Sequence, residues 1–279
     1  MKDYRTNATK QAQNRNLILK LKKLSDMQNI TKLPVKDLRK FAKEKYNVGT
    51  ILSNGMTNTK TAKNDLKTFI LYMTPHKRNS KGVNVCPNAS VGCALACLDT
   101  SGRGVFKNVQ EARTNKIEFY LNDKERFLNL LAYEIKVKIA TAKKRGEKIA
   151  FRLNGTTDLD FIYLLKKYAN LDLIGMPGVF LYDYTKTLGK ALKYQNSSNY
   201  VHTFSRSESN QAETKKAIEA GLNVAVVFAN ELPDFWQGIP VVNGDKGDDL
   251  MLNYKGVILG LKAKGKARKD TSGFVVTKY

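Results

Sequence analysis

Short apolar runs, separated by polar and helical stretches, recur along most of this chain. Seven of them have the length and the β-branched or aromatic content of strands: residues 67–73, 149–153, 179–184, 200–204, 223–228, 239–242 and 256–261. Helical patterns lie between several of these strands: residues 122–145, 158–168, 187–194 and 211–220. Repeated strand–helix units with apolar strands are typical of a parallel sheet that is buried on both faces. We therefore expect an α/β fold with a TIM-barrel-like architecture, as a complete or partial β/α barrel.

The first 49 residues have a different pattern. They are rich in Lys, Asn and Gln, and apolar residues at helical spacing occur in residues 17–24 and again after Pro34. Pro34 suits a first-turn position, and Asn47 is typical of a helix end. We therefore divide the chain into a basic helical arm, residues 1–49, and a β/α barrel domain with a cysteine cluster, residues 50–279.

The chain is strongly basic. It carries 48 Lys and Arg residues against 25 Asp and Glu residues, which gives a formal net charge of +23 and a pI near 9.8. A surface of this sign attracts polyanions, so we expect a nucleic-acid partner, although lysines that only solvate helix faces would give the same composition. No apolar run reaches membrane-spanning length, and the N-terminus has no apolar core of a signal peptide. The expected location is the cytoplasm, with no membrane partner.

All three cysteines of the chain lie within twelve residues, as Cys86, Cys93 and Cys97 in the spacing C-x6-C-x3-C. An odd number of closely spaced cysteines argues against a disulfide framework. Three thiolates that follow a predicted strand indicate instead a metal ion or an iron–sulfur cluster at the functional end of the sheet.

Two kinds of metal site are open for these cysteines. A four-iron cluster held by three thiolates leaves one iron for another ligand. Enzymes that use S-adenosylmethionine for radical chemistry are similar in holding such a cluster after the first barrel strand, although their usual spacing is C-x3-C-x2-C. An iron–sulfur cluster with S-adenosylmethionine is therefore the expected cofactor. The alternative is zinc, in a site completed by His76 ten residues before Cys86.

Polar side chains gather where the predicted strands end, which is where active residues lie in β/α barrels. The candidates for catalysis are Asp158, Asp183, Lys186, His202 and Asp245. The candidates for substrate binding are Arg152, Asn154, Tyr182, Ser205 and Arg206. The candidates for nucleic-acid phosphate contacts are Lys262, Lys264, Lys266 and Arg268. Structural roles are open as well, since Asp158 would also serve as a helix N-cap and Asp183 as a partner of Lys186.

These features favour an enzyme with a three-cysteine iron–sulfur or metal site that acts on nucleic acid or on a nucleotide-derived substrate. One alternative is a base-exchange enzyme similar to guanine transglycosylases, whose strand-end aspartates act as nucleophile and acid/base. Asp158, Asp183 and Asp245 are placed in this way. Another alternative is a non-catalytic protein that binds nucleic acid or a host factor and uses its cysteines and His76 for structural zinc.

Four segments carry a family resemblance: LYMTPHKRNSKGVNVCPNASVGCALACLDTSGRG, RLNGTTD, LYDYTK and GLKAKGKARKDTSGF. Through them the chain resembles, from about residue 50 to residue 276, a family of bacteriophage proteins related to the gene product 88 group of mycobacteriophages. The resemblance implies a phage-encoded protein in the cytoplasm of the infected cell. It implies no particular reaction, so the enzymatic hypotheses depend on the residues alone.

Overall fold

The computed structural model of the protein describes residues 34–57, 61–63, 66–247 and 249–278. Its strands are β1 Leu52–Asn54, β2 Lys67–Leu71, β3 Ile149–Arg152, β4 Val179–Thr185, β5 Tyr200–Ser205, β6 Asn223–Phe228, β7 Phe235–Trp236, β8 Ile239–Asn243 and β9 Ile258–Lys262. Its helices are α1 Val35–Tyr46, α2 Val91–Leu95, α3 Lys107–Asn122, α4 Lys124–Lys144, α5 Phe161–Ala169, α6 Leu188–Lys193 and α7 Gln211–Glu219. Within these ranges, no helix is long and apolar enough to cross a membrane.

All nine described strands join one open sheet in the order β1-β2-β3-β4-β5-β6-β9-β8-β7. Neighbours are parallel from β2 to β8, whereas β1 pairs antiparallel with β2 and β7 antiparallel with β8. The predicted α/β class is therefore confirmed, with a mostly parallel sheet. The predicted barrel is not closed, because β1 and β7 form two separate edges and none of the described strands joins them.

The helices of the strand–helix units cover one face of the sheet. Phe151 and Leu181 face this side and belong to the main core with residues of α4 and α5. Phe204 belongs to a second cluster on the same side, with residues of α6 and α7. Right-handed crossovers between consecutive neighbours all turn to one side, which explains why β2 to β6 carry their helices together. Because side chains alternate between faces, the other face carries residues such as Tyr182 and Leu259.

Helix α1 confirms the second of the two helical patterns predicted in the N-terminal arm. It ends where predicted, at Asn47, which adopts the left-handed conformation with a φ of 52°. Ala42 of α1 lies in the main core together with Phe119 of α3. The first pattern, residues 17–24, lies outside the described residues. Helix α1 therefore shares the core of the sheet, and the domain division at residue 49 stays a prediction.

Gly155, in the loop after β3, makes the closest backbone approach to the end of β2. Its N–H donates to the Leu71 carbonyl at 2.9 Å, and a Cβ at this position would lie 2.6 Å from Tyr72 Cδ1 and 2.8 Å from Ile70 Cγ2. We expect Gly155→Ala to lower the free energy of unfolding by about 1–3 kcal/mol, because the added methyl group overpacks this contact. The change is measured by urea unfolding.

Gly189→Ala is the matched control. Gly189 lies in α6 with nothing within 4 Å of the position of its Cβ. Alanine there is expected to raise the free energy of unfolding by about 0.5–1 kcal/mol, because it reduces the entropy of the unfolded chain and favours the helix. Equal effects of the two substitutions would contradict the close approach at Gly155.

Candidate functional site

A large cavity, of about 1160 Å³, opens at the carboxyl ends of the parallel strands. Side chains at or just beyond successive strand ends line it, on the face of the sheet opposite the helices: Tyr72, Arg152, Tyr184, Ser205, Val227 and Leu261. We call the segment between β2 and α3, residues 72–106, the cysteine loop. Its residues and those of the C-terminal turn Gly265–Lys269 line the other sides of the cavity. A crevice at this edge of a parallel sheet is the usual ligand site of open α/β proteins.

One carboxylate fixes the cysteine loop to the edge of the sheet. Glu208, from the loop after β5, accepts hydrogen bonds from Ser90 Oγ and from the Gly92 N–H, both at 2.7 Å. Ser90 also caps α2, because its Oγ accepts a hydrogen bond from the Cys93 N–H. Gly92 lies so near the C-terminal segment that a Cβ there would be 2.7 Å from Phe274 Cβ. The cysteine loop is therefore held from two sides.

All three cysteines line the cavity. The Cys86 thiol donates a hydrogen bond to the Thr156 carbonyl, with Sγ and O 3.6 Å apart. Burial raises the pKa of Cys86 to about 12 and the pKa of Cys97 to about 11, and neighbouring sulfurs add to both shifts. In the described part of the chain, no three His, Cys, Asp or Glu side chains form a group that would hold a metal ion. The three cysteines thus share one cavity, and burial keeps the thiols of Cys86 and Cys97 protonated at neutral pH.

The lining of the cavity is strongly basic. Among the described residues it includes two aspartates, Asp158 and Asp245, and each of them already pairs with a lysine, Lys190 and Lys264 respectively. The lining also includes seven Lys and Arg residues: Arg103, Arg113, Lys116, Arg152, Lys186, Lys262 and Lys264. A cleft lined by one sign of charge concentrates ligands of the opposite sign. The cavity therefore suits an anion.

Arg113 of α3 has buried donors that lack partners. Its guanidinium lies over the Tyr72 ring, 4.9 Å from the centroid. Its Nε and Nη1 atoms are buried and have no hydrogen-bond partner in the described part of the protein, and the same is true of His76 Nε2. Burial lowers the pKa of His76, and the charges of Arg78 and Lys186 lower it further. Buried polar groups are nearly always hydrogen-bonded, so these atoms indicate a place for a ligand.

Asp158 joins the loops after β3 and β4. Its carboxylate accepts hydrogen bonds from Thr185 Oγ1 at 2.8 Å, from the Lys186 N–H at 2.9 Å and from Lys190 Nζ. Its own N–H donates to the Val85 carbonyl in the cysteine loop at 2.9 Å. The side chains of Asp158 and Lys190 are only 11% and 6% exposed. Asp158 therefore connects three segments of the cavity wall. Its carboxylate joins the loops after β3 and β4, and its backbone N–H joins them to the cysteine loop.

Two structural interpretations of the predicted aspartates are wrong. The N-cap of α5 is Asp160, not Asp158, because the Asp160 side chain accepts the hydrogen bond at the start of the helix. Asp183 does not pair with Lys186, whose Nζ instead donates to Ser205 Oγ at 2.7 Å. The reason is the pleat of β4, which directs Asp183 to the helix face of the sheet, away from the loop that carries Lys186.

Asp183 and His202 are paired neighbours on β4 and β5 and lie away from the cavity. Asp183 accepts hydrogen bonds from Asn154 N at 2.8 Å, from Asn154 Nδ2 at 3.1 Å and from Tyr200 OH at 3.1 Å. The His202 ring lies 4.2 Å from the Tyr200 ring and 5.6 Å from the Tyr194 ring, measured between centroids. Burial raises the pKa of Asp183 and lowers the pKa of His202 to about 3. Both side chains are packed into the protein interior, and their catalytic role stays a prediction.

The cavity brings together most of the residues that the sequence predicts for a site. Those that line it are Cys86, Cys93, Cys97, Arg152, Asn154, Asp158, Lys186, Ser205, Asp245, Lys262 and Lys264. Those that do not line it are Tyr182, Asp183, His202, Arg206, Lys266 and Arg268. Tyr182 is fully buried, and Arg206 donates to the carbonyls of Gly273 and Phe274. The functional roles of both sets stay predictions.

The part of the chain that forms the cavity has a match among known protein families. A model of the gene product 88 family matches residues 50–278. The chain belongs to the gene product 88 family. This confirms the resemblance predicted from the sequence, and the matched region contains all the residues that line the cavity. No curated protein and no solved structure gives a significant match.

Several lining residues of the gene product 88 region are not among the sequence candidates, including Tyr72, Arg113 and Lys116. Tyr72 directly follows β2, so the strand-end rule that selected the other candidates would have found it. Arg113 and Lys116 lie three residues apart on α3 and therefore share one side of the helix. In the sequence they are indistinguishable from the solvated lysines and arginines of a basic helix, and only the fold directs them to the cavity.

In this gene product 88 protein we expect Asp158→Asn to lower the free energy of unfolding by about 3–5 kcal/mol, because it leaves the Lys190 ammonium buried without its counter-charge. The measurement is urea unfolding. The dependence of the unfolding free energy on urea concentration should be the same in the variant and the unchanged protein if both unfold in one transition. The matched control is Asp172→Asn, which breaks the exposed pair with Lys166, where the two side chains are 44% and 68% exposed. Its expected cost is below about 1 kcal/mol. Similar costs for the two variants would contradict the structural role of Asp158.

Proposed function

We propose that the protein is an enzyme that acts on nucleic acid or on a nucleotide-derived substrate, and that a phosphate group of this substrate binds in the cavity. The observation that carries the proposal is the guanidinium of Arg113, whose Nε and Nη1 atoms are buried at the cavity without a partner among the described residues. A guanidinium holds several N–H groups in one plane, and each of them can donate a charge-assisted hydrogen bond to a phosphate oxygen.

The size and charge of the cavity support a ligand larger than a single anion. Its volume of about 1160 Å³ lies slightly above the usual range for small-molecule sites, about 300–1,000 Å³. The tyrosines Tyr72 and Tyr184 line it, and each lies under an arginine. Aromatic faces and cations together suit a ligand that has both a base and a phosphate. The net charge of +23 adds long-range attraction for nucleic acid.

The position of the cavity supports an enzyme more than a binding protein. It lies at the carboxyl edge of the parallel strands, where the loops of α/β enzymes carry their reactive groups. It contains groups with nucleophilic or acid/base chemistry, the three thiols and the amines of Lys116 and Lys186. The base-exchange alternative has less support, because Asp183 lies outside the cavity, while Asp158 and Asp245 already accept hydrogen bonds. The non-catalytic alternative predicts ligand binding without turnover.

The cofactor is a separate part of the proposal. The location of all three cysteines in the lining of one cavity supports an iron–sulfur cluster used with S-adenosylmethionine, or zinc as the alternative. The thiols as they are placed do not form a ligand set with the other His, Cys, Asp and Glu side chains of the described residues.

Arg113→Gln is expected to weaken the binding of a 5′-nucleoside monophosphate about 10- to 100-fold, because a charge-assisted hydrogen bond contributes about 1.5–3 kcal/mol. Arg113→Lys keeps the positive charge but loses the planar set of N–H donors, so its expected affinity is intermediate. Isothermal titration calorimetry measures both, with mononucleotides and with a short single-stranded oligonucleotide. The control is Arg145→Gln at the exposed end of α4, which should bind like the unchanged protein. Equal affinities for Arg113→Gln and the control would contradict the proposed phosphate site.

Protein purified without oxygen is expected to contain iron and acid-labile sulfide, with broad absorption near about 400 nm. Cys93→Ser should remove both the metal and the absorption, because it deletes one of three thiolate ligands. Elemental analysis with the absorbance spectrum is the measurement. Zinc without iron would favour the zinc alternative, whereas a metal-free protein with three reduced thiols would contradict both cofactors.

A further inference from the structure

Lys116 of α3 is a buried amine that lines the cavity. It is only 8% exposed and makes no hydrogen bond or ion pair with any residue that the structure describes. The carboxylate whose charge most affects it, Glu134, is occupied, because its two oxygens accept hydrogen bonds from the Ile51 and Leu52 N–H groups at 2.9 and 2.8 Å. An ammonium in this place is largely removed from bulk water and has no paired counter-ion among the described residues.

The surroundings of Lys116 favour the neutral amine. Burial lowers its pKa to about 8, Glu134 opposes this shift, and the positive charge of Arg113 adds to it. Arg113 precedes Lys116 by three residues on α3, so the two cations lie on one side of the helix beside the same cavity. A desolvated lysine next to a second cation is the arrangement that makes an amine nucleophilic near neutral pH.

We propose that Lys116 is an amine nucleophile that forms an imine with the aldehyde of a phosphate-bearing ligand in the cavity. This inference rests on the proposed function, because the phosphate site at Arg113 holds the ligand while its carbonyl reaches Lys116. The Nζ lone pair adds to the carbonyl carbon, the electron pair of the C=O bond moves to oxygen, and one proton passes from the nitrogen to that oxygen. The resulting carbinolamine loses its hydroxyl group as water and nitrogen loses a proton, which leaves a C=N bond. No oxidant or reductant is needed.

Two kinds of ligand carry both an aldehyde and a phosphate. One is a small phosphorylated aldehyde, and the other is the open-chain sugar aldehyde of an abasic site in a nucleic acid, which is flanked by phosphates. Both present an aldehyde a few bonds from a phosphate. The shared recognition elements are therefore the Arg113 guanidinium for the phosphate and the Lys116 amine for the carbonyl.

The experiment is reductive trapping with sodium cyanoborohydride, which converts the imine to a stable secondary amine. The full chain is incubated in one arm with glyceraldehyde 3-phosphate and in the other with an abasic single-stranded oligonucleotide, and the modified peptide is identified by mass spectrometry. We expect labelling at Lys116 at least ten times faster than at any exposed lysine, with a rate that rises with pH and levels off above about pH 8. The arm that labels Lys116 identifies the source of the aldehyde.

Lys116→Arg and Lys116→Met should abolish the specific adduct, whereas Lys107→Met, at a 92% exposed position on the same helix, should leave it unchanged. The mapping of the adduct in the unchanged protein does not depend on either variant folding. Labelling spread evenly over exposed lysines, or specific labelling that persists in Lys116→Arg, would overturn the inference. Mononucleotide binding in Lys116→Met separates the two proposals: retained binding without trapping refutes only the role of Lys116, whereas absent binding in the unchanged protein refutes the phosphate site.

Discussion

The buried ion pair between Asp158 and Lys190 is the interaction on which the shape of the cavity depends. It connects the loops after β3 and β4, and the Asp158 backbone N–H continues the connection to Val85 in the cysteine loop. Such a pair adds little net stability over an apolar pair of the same size. The pair instead fixes the positions of the loops. Among the described residues, Asp158 and Lys190 form no other ion pair, so the loops must meet where these two charges meet.

The open sheet explains why a cavity of this size exists. Consecutive parallel strands with right-handed crossovers place the connecting helices on one face, so these helices leave the carboxyl end of the other face uncovered. The cysteine loop and the C-terminal segment lie over this end. Glu208 joins the cysteine loop to the sheet through Ser90 and Gly92, and Arg206 donates to the carbonyls of Gly273 and Phe274 in the C-terminal segment. Cations from α3 and from the strand ends then face one enclosed space, which accounts for its preference for anions.

The sequence predicted the central strands to within two residues at each end, because each is a short run rich in β-branched and aromatic residues. It did not predict the open edges, since β1 and β7 are only three and two residues long and have no apolar period of their own. The strand-end rule selects Arg152 and Ser205, which line the cavity. It does not show on which face of the sheet a side chain lies. In a strand buried on both faces polarity gives no such signal, so Asp183 was assigned to the site although the pleat turns it toward the helices.

The most direct test of a phosphate site in this cavity is a crystal structure of the protein with a bound 5′-nucleoside monophosphate. A phosphate oxygen is predicted to lie about 2.9 Å from Nε or Nη1 of Arg113, the ordinary length of such hydrogen bonds. The base should lie within the cavity beside Tyr72 or Tyr184, the two aromatic rings under arginines in its lining. A nucleotide bound elsewhere on the surface, with Arg113 satisfied by a group of the protein itself, would contradict this assignment.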